Sequence, residues 1–318
     1  MAGIVPDRLA REIGRLLFAG LPVVTISFMS SPLVRLRGLV PVWLVERVRL
    51  AVKPPEVSQR RLKRFRSEMN RRPRPSLPLE APGSVSVVVP CFAHAPFLAD
   101  MFESLLAQTR APDEVILVDD HSPDATAEIV GAFIAAHPEF AAGRVRLLSN
   151  DRNMGQAASL NRGISAASSG LIMILNDDDY LMHDAIQSMF GFFGQYRDVA
   201  LIGAHSIYFA GSEELAAAPK LSTAYSAPGL PLTVQRPEDV RGYRKYNDLN
   251  MTHSGSCFYK VAWEAVGRYR ADKAERVVPF SDRDFQLRVN TIWPVAVAYE
   301  TPLTLWREGS SVDAGINS

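Results

Sequence analysis

The sequence predicts an α/β domain, a mostly parallel sheet with helices on both faces, behind an N-terminal helical extension. Three observations carry this. From Ser84 onward, short runs rich in Val, Ile and Leu alternate with amphipathic helical stretches, as in repeated strand–crossover–strand units. Those runs end in Pro or Asp, which marks one polar edge of the sheet. A proline cluster, RRPRPSLPLEAPG, separates this part from a basic, apolar N-terminus. The expected division is residues 1–72 for the extension, 73–83 for a semi-rigid linker and 84–318 for the α/β domain.

In the extension, Leu9, Ile13, Leu16 and Leu17 form a helical stripe opposite Arg8, Arg11 and Arg15. The uncharged stretch LLFAGLPVVTISFMSSPLV follows, then GLVPVWLVERVRLAV with Trp43 between arginines. Pro22 and Pro32 weaken a membrane span. A helical cap on the main domain is a further reading. The combination of apolar helix, Trp and Arg favours an interfacial anchor on an anionic membrane surface.

In the main domain, SVSVVVP (84–90) is the first strand and PFLADMFESLLAQT the first helix. EVILVDD (114–120) is the second strand, with a helix from Asp124 to about His137. VRLLSN (145–150) is the third, with a helix from near Gly155; LIMILN is the fourth, followed by the helix HDAIQSMFGFFGQY. In the usual 3-2-1-4 order the first and fourth strands are neighbours, and a ligand crevice lies outside their carboxyl ends. Pro90, Asp119, Asp120 and Asp177 to Asp179 all fall there.

LIMILNDDDYL ends a buried strand in three carboxylates. Like charges that close repel, so a shared divalent cation makes sense of them; an acidic cap on the next helix is the plainer alternative.

Composition removes other classes. Residues 1–82 hold 16 Lys+Arg and 6 Asp+Glu; the totals of 35 and 34 leave 19 and 28 for the remainder, a basic arm on an acidic body. Two cysteines, Cys91 and Cys257, form neither a disulfide framework nor a zinc motif, and fit a reducing compartment. No P-loop, G-x-G-x-x-G, H-E-x-x-H or G-x-S-x-G occurs.

VSVVVPCF, EVILVDDHSPDAT, NMGQAASLNRGI and LNDDDYL, in that order, resemble the motifs of the inverting nucleotide-sugar glycosyltransferases of family 2, and PFSDRDFQLRV resembles the segment holding that family's catalytic base. The resemblance implies a GT-A fold and transfer of a sugar from a nucleoside-diphosphate sugar to a glycan or lipid-linked acceptor. No nucleic acid partner is implied. Pro90 and Phe92 would then lie beside the nucleobase, and Asp120 would accept a hydrogen bond from it. Asp178, flanked by Asp177 and Asp179, would hold Mg2+ or Mn2+, and Asp282 would be the general base. Asn176, where the family usually has Asp, could bond a ribose hydroxyl, and His253 could line the donor pocket or be structural. His121 replaces a turn glycine, Ser281 replaces the Glu before the base, and Glu308 stands where a late His is common. RGYRKYND (241–248) could contact phosphate or be a solvated loop. A nucleotidyltransferase and a non-catalytic nucleotide- or partner-binding relative are the alternatives. The resemblance and the arm together imply a cytoplasmic protein, peripheral at the inner face of the membrane.

Overall fold

The computed structural model describes residues 59–80, 82–209, 215, 232–237, 251–278 and 280–307. The apolar arm with Trp43, the segment 241–248 and Glu308 lie outside the described residues. Among the described residues, no helix is long and apolar enough to cross a membrane.

Apart from a single turn at Pro138–Ala141, the α-helices among the described residues are α1 (Gln59–Met69), α2 (Leu98–Leu106), α3 (Thr126–Ala136), α4 (Gln156–Ala166), α5 (Ala185–Gln195), α6 (Lys260–Ala265) and α7 (Ser281–Asn290). The first four strands are β1 (Val85–Cys91), β2 (Glu114–Asp119), β3 (Val145–Ser149) and β4 (Leu171–Ile174), followed by β5 (Tyr180–Leu181), β6 (Leu201–Ala204), β7 (Ser206–Phe209) and β8 (Thr233–Gln235). β9 (Cys257–Tyr259), β10 (Val295–Ala298) and β11 (Thr304–Arg307) complete the set among the described residues.

The main sheet has the order β3-β2-β1-β4-β9-β6-β10-β8. Its first four strands are parallel, in the anticipated 3-2-1-4 arrangement. β9 is antiparallel to both β4 and β6. A small second sheet, β5-β11-β7, sits beside the polar edge. Every residue of β1, β2 and β4 is buried, which is why these strands read as continuous apolar runs: both faces of the sheet are covered. α4 lies so close to β1 and β2 that a Cβ on Gly163 would sit 2.5 Å from Val88 Cγ1.

Among the described residues, the unit that holds the sheet already includes α1 from Gln59, ahead of the expected boundary at residue 73. Phe65 and Met69 of α1 are each 2% exposed and belong to the core. Glu68 pairs with Arg270 at 2.5 Å. α1 is therefore part of the sheet unit. Its i, i+4 apolar pair was hidden in the sequence by the surrounding Arg and Lys.

Candidate active site

The polar edge is built where β1 and β4 end. Leu175 N–H donates to Val88 O, the last rung between them. Pro90 lies two residues beyond Val88, so its missing N–H falls on the side from which β4 has already departed. The chain then enters the turn Asn176–Asp179, where Asn176 N–H donates to Ser254 Oγ at 3.1 Å.

Asp177 ties the two strand ends together. Its Oδ2 accepts from Phe92 N–H at 3.0 Å, and Oδ1 lies 2.8 Å from His94 Nδ1. Burial raises the Asp177 pKa, the His94 contact opposes this, and the Asp178 carboxylate adds to the rise. Asp179 is 1% exposed. Its Oδ2 accepts from Asn176 Nδ2 at 3.1 Å and its Oδ1 from Arg307 N–H at 3.2 Å. Burial and then the Asp178 charge push its pKa up to about 8, against the hydrogen bonds from Ser254, Arg307 and Asn176.

Arg307 fastens this turn from β11. Its Nε donates to Asp178 O at 3.0 Å and its Nη2 pairs with Asp100 at 2.5 Å. The guanidinium packs on the rings of Phe97 and Phe209, 4.5 and 4.4 Å from their centroids.

One ligand atom each from His94, Asp177 and Asp178 lie within 4.8 Å of one another. The structure thus places Asp178 with Asp177 and His94, and turns Asp179 toward chain donors. The site fits a divalent cation: two oxygen donors and an imidazole are suitable ligands. Adjacent buried carboxylates also need a proton or a cation to relieve their repulsion.

Asp120, expected beside a nucleobase, is 3% exposed and anchors the loop after β3. Oδ1 accepts from Asn150 Nδ2 at 2.7 Å and Met154 N–H at 2.8 Å, and Oδ2 from Gly155 N–H at 2.7 Å. A carboxylate has about four acceptor positions, so one remains for a ligand. Gly155 at φ +82° begins α4 in a conformation that L side chains resist. Gln156 Nε2 reaches Asn176 Oδ1 at 3.4 Å. Phe92 is half-buried just past the end of β1. In the turn after β2, His121 has φ +62°, in the left-handed region that favours glycine, and Asp119 Oδ1 closes the turn by accepting from Ser122 N–H at 3.0 Å.

The two aspartates of SDRD separate clearly. Asp284 is fully buried, bonded to Arg288 and to Val277 N–H. Asp282, in the first turn of α7, is half-buried and makes no hydrogen bond or ion pair among the described residues. Its charge acts on His253, whose pKa burial lowers and Asp282 raises. His253 Nε2 shares a hydrogen bond with Tyr269 OH at 3.1 Å, and the next residue is Ser254, which supports the acidic turn.

His94, Ser254 and Arg307 were not singled out from the sequence. His94 is a lone histidine among alanines, with no motif around it; Ser254 lies in the small, polar run THSGS; and Arg307 lies in WREGSS, where attention fell on Glu308.

A family model, "Glycosyl transferase family 2", matches residues 86–260, more than half of the 318-residue chain. Among curated proteins, the chain is 36% identical over 106 residues to glycosyltransferase GlyG of Streptococcus pneumoniae, covering 33% of this chain and 34% of that protein. It is 39% identical over 105 residues to succinoglycan biosynthesis protein ExoO of Rhizobium meliloti, covering 33% and 28%. The matched segment thus spans about a third of these relatives' length. Among solved structures, S. aureus TarS 1–349 in complex with UDP superposes with a TM-score of 0.52 at 15% identity, over 70% of this chain and 60% of that one. The same protein in complex with UDP-GlcNAc gives 0.53 at 14% identity, over 72% and 59%. At that identity the likeness is one of fold, a GT-A-like α/β architecture. With the ordered motifs on the strand ends and the family match across them, the chain belongs to glycosyl transferase family 2.

Proposed function

We propose that the protein transfers a sugar from a nucleoside-diphosphate sugar to an acceptor hydroxyl with inversion at the anomeric carbon. The observation that carries this is the pairing of two unlike acidic centres. One is the His94–Asp177–Asp178 group, with both carboxylates buried; the other is the half-buried Asp282, without an ion-pair partner among the described residues. TarS, similar in fold, has been solved with UDP and UDP-GlcNAc, which supports a uridine donor.

Pro90 and Phe92 form the floor beside the base, and Asp120 offers it the remaining acceptor position. Asn176 lies within reach of the ribose, and His253 lines the pocket wall. Asp177 and Asp178 would hold Mg2+ or Mn2+, with Asp179 supporting their turn. Bound there, the cation would neutralise charge growing on the departing diphosphate. Asp282 takes the acceptor hydroxyl's proton as that oxygen bonds to the anomeric carbon and the bond to the diphosphate breaks. One base and one in-line attack give inversion. The relationship to ExoO, a succinoglycan biosynthesis protein, supports a cell-surface glycan or lipid-linked acceptor. The basic arm would hold the domain at the anionic inner face of the membrane.

The test is a panel of UDP-, GDP- and dTDP-sugars with Mn2+, scored for donor hydrolysis and for binding by calorimetry. Metal-dependent hydrolysis of at least one donor is expected. Tight binding of a nucleotide without turnover of any donor would favour a binding relative, and no binding at all would sink the proposal.

A further inference from the structure

We propose that Asn150, held by Arg162, is a specificity-determining residue that restricts the base site to an edge with one N–H donor, such as uracil, and disfavours guanine. The inference rests on the reading that Asp120 meets the nucleobase, and it assigns residues that the sequence motifs do not name.

Asp120 and Asn150 leave the sheet side by side. Asp119 and Ser149 are the last pair in register between β2 and β3, and Asn150 N–H still donates to Asp119 O at 2.8 Å. Asp120 N–H donates to Cys91 O at 2.9 Å, which sets Asp120 beside the last residue of β1, next to Phe92.

The amide of Asn150 has one possible orientation. Arg162 Nη1 lies 2.6 Å from its Oδ1 and 2.6 Å from Ser149 O. A guanidinium only donates, so the amide oxygen must face it. Nδ2 is thereby turned to Asp120 Oδ1 at 2.7 Å and to Ser159 Oγ at 2.8 Å, which uses both of its hydrogens. Asn150 is 8% exposed and Ser159 fully buried, so little water competes for these bonds.

The consequence lies in how many donors Asp120 can still accept. Oδ1 already takes Asn150 Nδ2 and Met154 N–H, whereas Oδ2 takes Gly155 N–H alone among the described residues. Each carboxylate oxygen has about two acceptor positions, so the one left is on Oδ2. The imide of uracil offers a single N–H between two carbonyls. Guanine offers two neighbouring donors, its ring N–H and its amino group, and a carboxylate meets such a pair with one position on each oxygen. With Oδ1 full, that two-point contact does not form. The competing explanation is that Asn150 only fastens the loop before α4.

Inosine and guanosine diphosphates separate the two, because they differ only in the 2-amino group. The full chain with Mn2+ is titrated calorimetrically with UDP, IDP and GDP. In wild type, GDP should bind no tighter than IDP. Asn150→Ala opens the second position on Oδ1, and the GDP-to-IDP affinity ratio should rise about tenfold. General loosening of the loop would weaken both purines alike and leave that ratio unchanged. A wild type that prefers GDP over IDP by about tenfold, or an Asn150→Ala ratio equal to that of wild type, would overturn the inference. The wild-type comparison stands whether or not the variant folds. If neither purine binds wild type, Asn150→Ala must bind GDP more tightly than IDP, and failure to do so also overturns it. Asp120→Asn is the control. Unaltered UDP affinity in Asp120→Asn would remove Asp120 from the base site and the inference with it. A wild type that binds no nucleotide would sink the proposed function itself.

Discussion

Asp284 and Arg288, one turn apart on α7, form an ion pair at 2.9 Å in which neither side chain is exposed. Arg270 approaches the same aspartate at 3.5 Å. Two residues earlier, Asp282 has no such tie. One short motif thus contains a carboxylate committed to holding the helix and one left available for chemistry.

Opposite phenotypes are therefore expected at the two positions. Asp284→Asn should cost about 3–5 kcal/mol, because it strands a buried guanidinium, as read by denaturant melts. Asp282→Asn should melt within about 0.5 kcal/mol of wild type yet lose about 10²–10⁴-fold in transfer, with donor binding kept. A stable, active Asp282→Asn would remove Asp282 as the base.

Chelation should weaken nucleotide binding. Without a cation, the carboxylates of Asp177 and Asp178 face the diphosphate directly. EDTA, or Asp178→Asn, is expected to lower UDP affinity tenfold or more, about 1.4 kcal/mol, while the thermal melt stays intact. Equal affinities with metal and with EDTA in calorimetry would contradict the site.

His121→Gly should stabilise the protein. A side chain at φ +62° costs about 1–2 kcal/mol, and added glycine freedom in the unfolded chain returns about 0.4–1 kcal/mol. A net gain of about 0.5–1 kcal/mol is expected in urea melts; destabilisation would show that the imidazole makes a compensating contact.

Glu114 gives an acid-side dependence. Burial works to raise its pKa, but hydrogen bonds from Ser86 and Ser168 and the charge of Arg146 bring it below the usual 4.5. A lowered folded value means that the stabilisation is present above the unfolded pKa and is lost as pH falls through the folded one. Glu114→Gln should therefore cost about 1–3 kcal/mol at neutral pH, with the gap to wild type narrowing as pH falls below the ordinary value of 4.5. A gap independent of pH would exclude the charge as its cause.

The N-terminal boundary can be tested by truncation. A chain beginning at Val57 should fold like the full protein. One beginning at Ser84 loses Phe65 and Met69 from the core, at about 1.5–3 kcal/mol each, and leaves Arg270 without Glu68. Full-length protein should sediment with anionic vesicles in a salt-dependent way, and the Val57 chain should not. Equal vesicle binding by the two would remove the arm as an anchor.

The parallel half of the fold was legible because its strands are dominated by apolar residues and alternate with helical stretches, as in EVILVD before Thr126–Ala136. β9 and the small sheet were not: their strands run to only two to four residues, and no acidic motif marks their ends as it marks the end of β4. The acidic turn announced itself by charge density. Its supports did not: His94, Ser254 and Arg307 reach it from loops and a strand separated by some 200 residues of chain, and proximity of that kind has no local pattern.

The single antiparallel strand between β4 and β6 bears on synthesis. β4 ends at Ile174, but the strand that covers its open side ends only at Tyr259. At about 5–20 residues per second, a nascent chain leaves that apolar edge bare for on the order of ten seconds. During this interval LIMI is a template for pairing with a neighbouring chain. Crowding of ribosomes on one message, or a pause between the two segments, should therefore reduce soluble yield more than an equal delay placed after Tyr259.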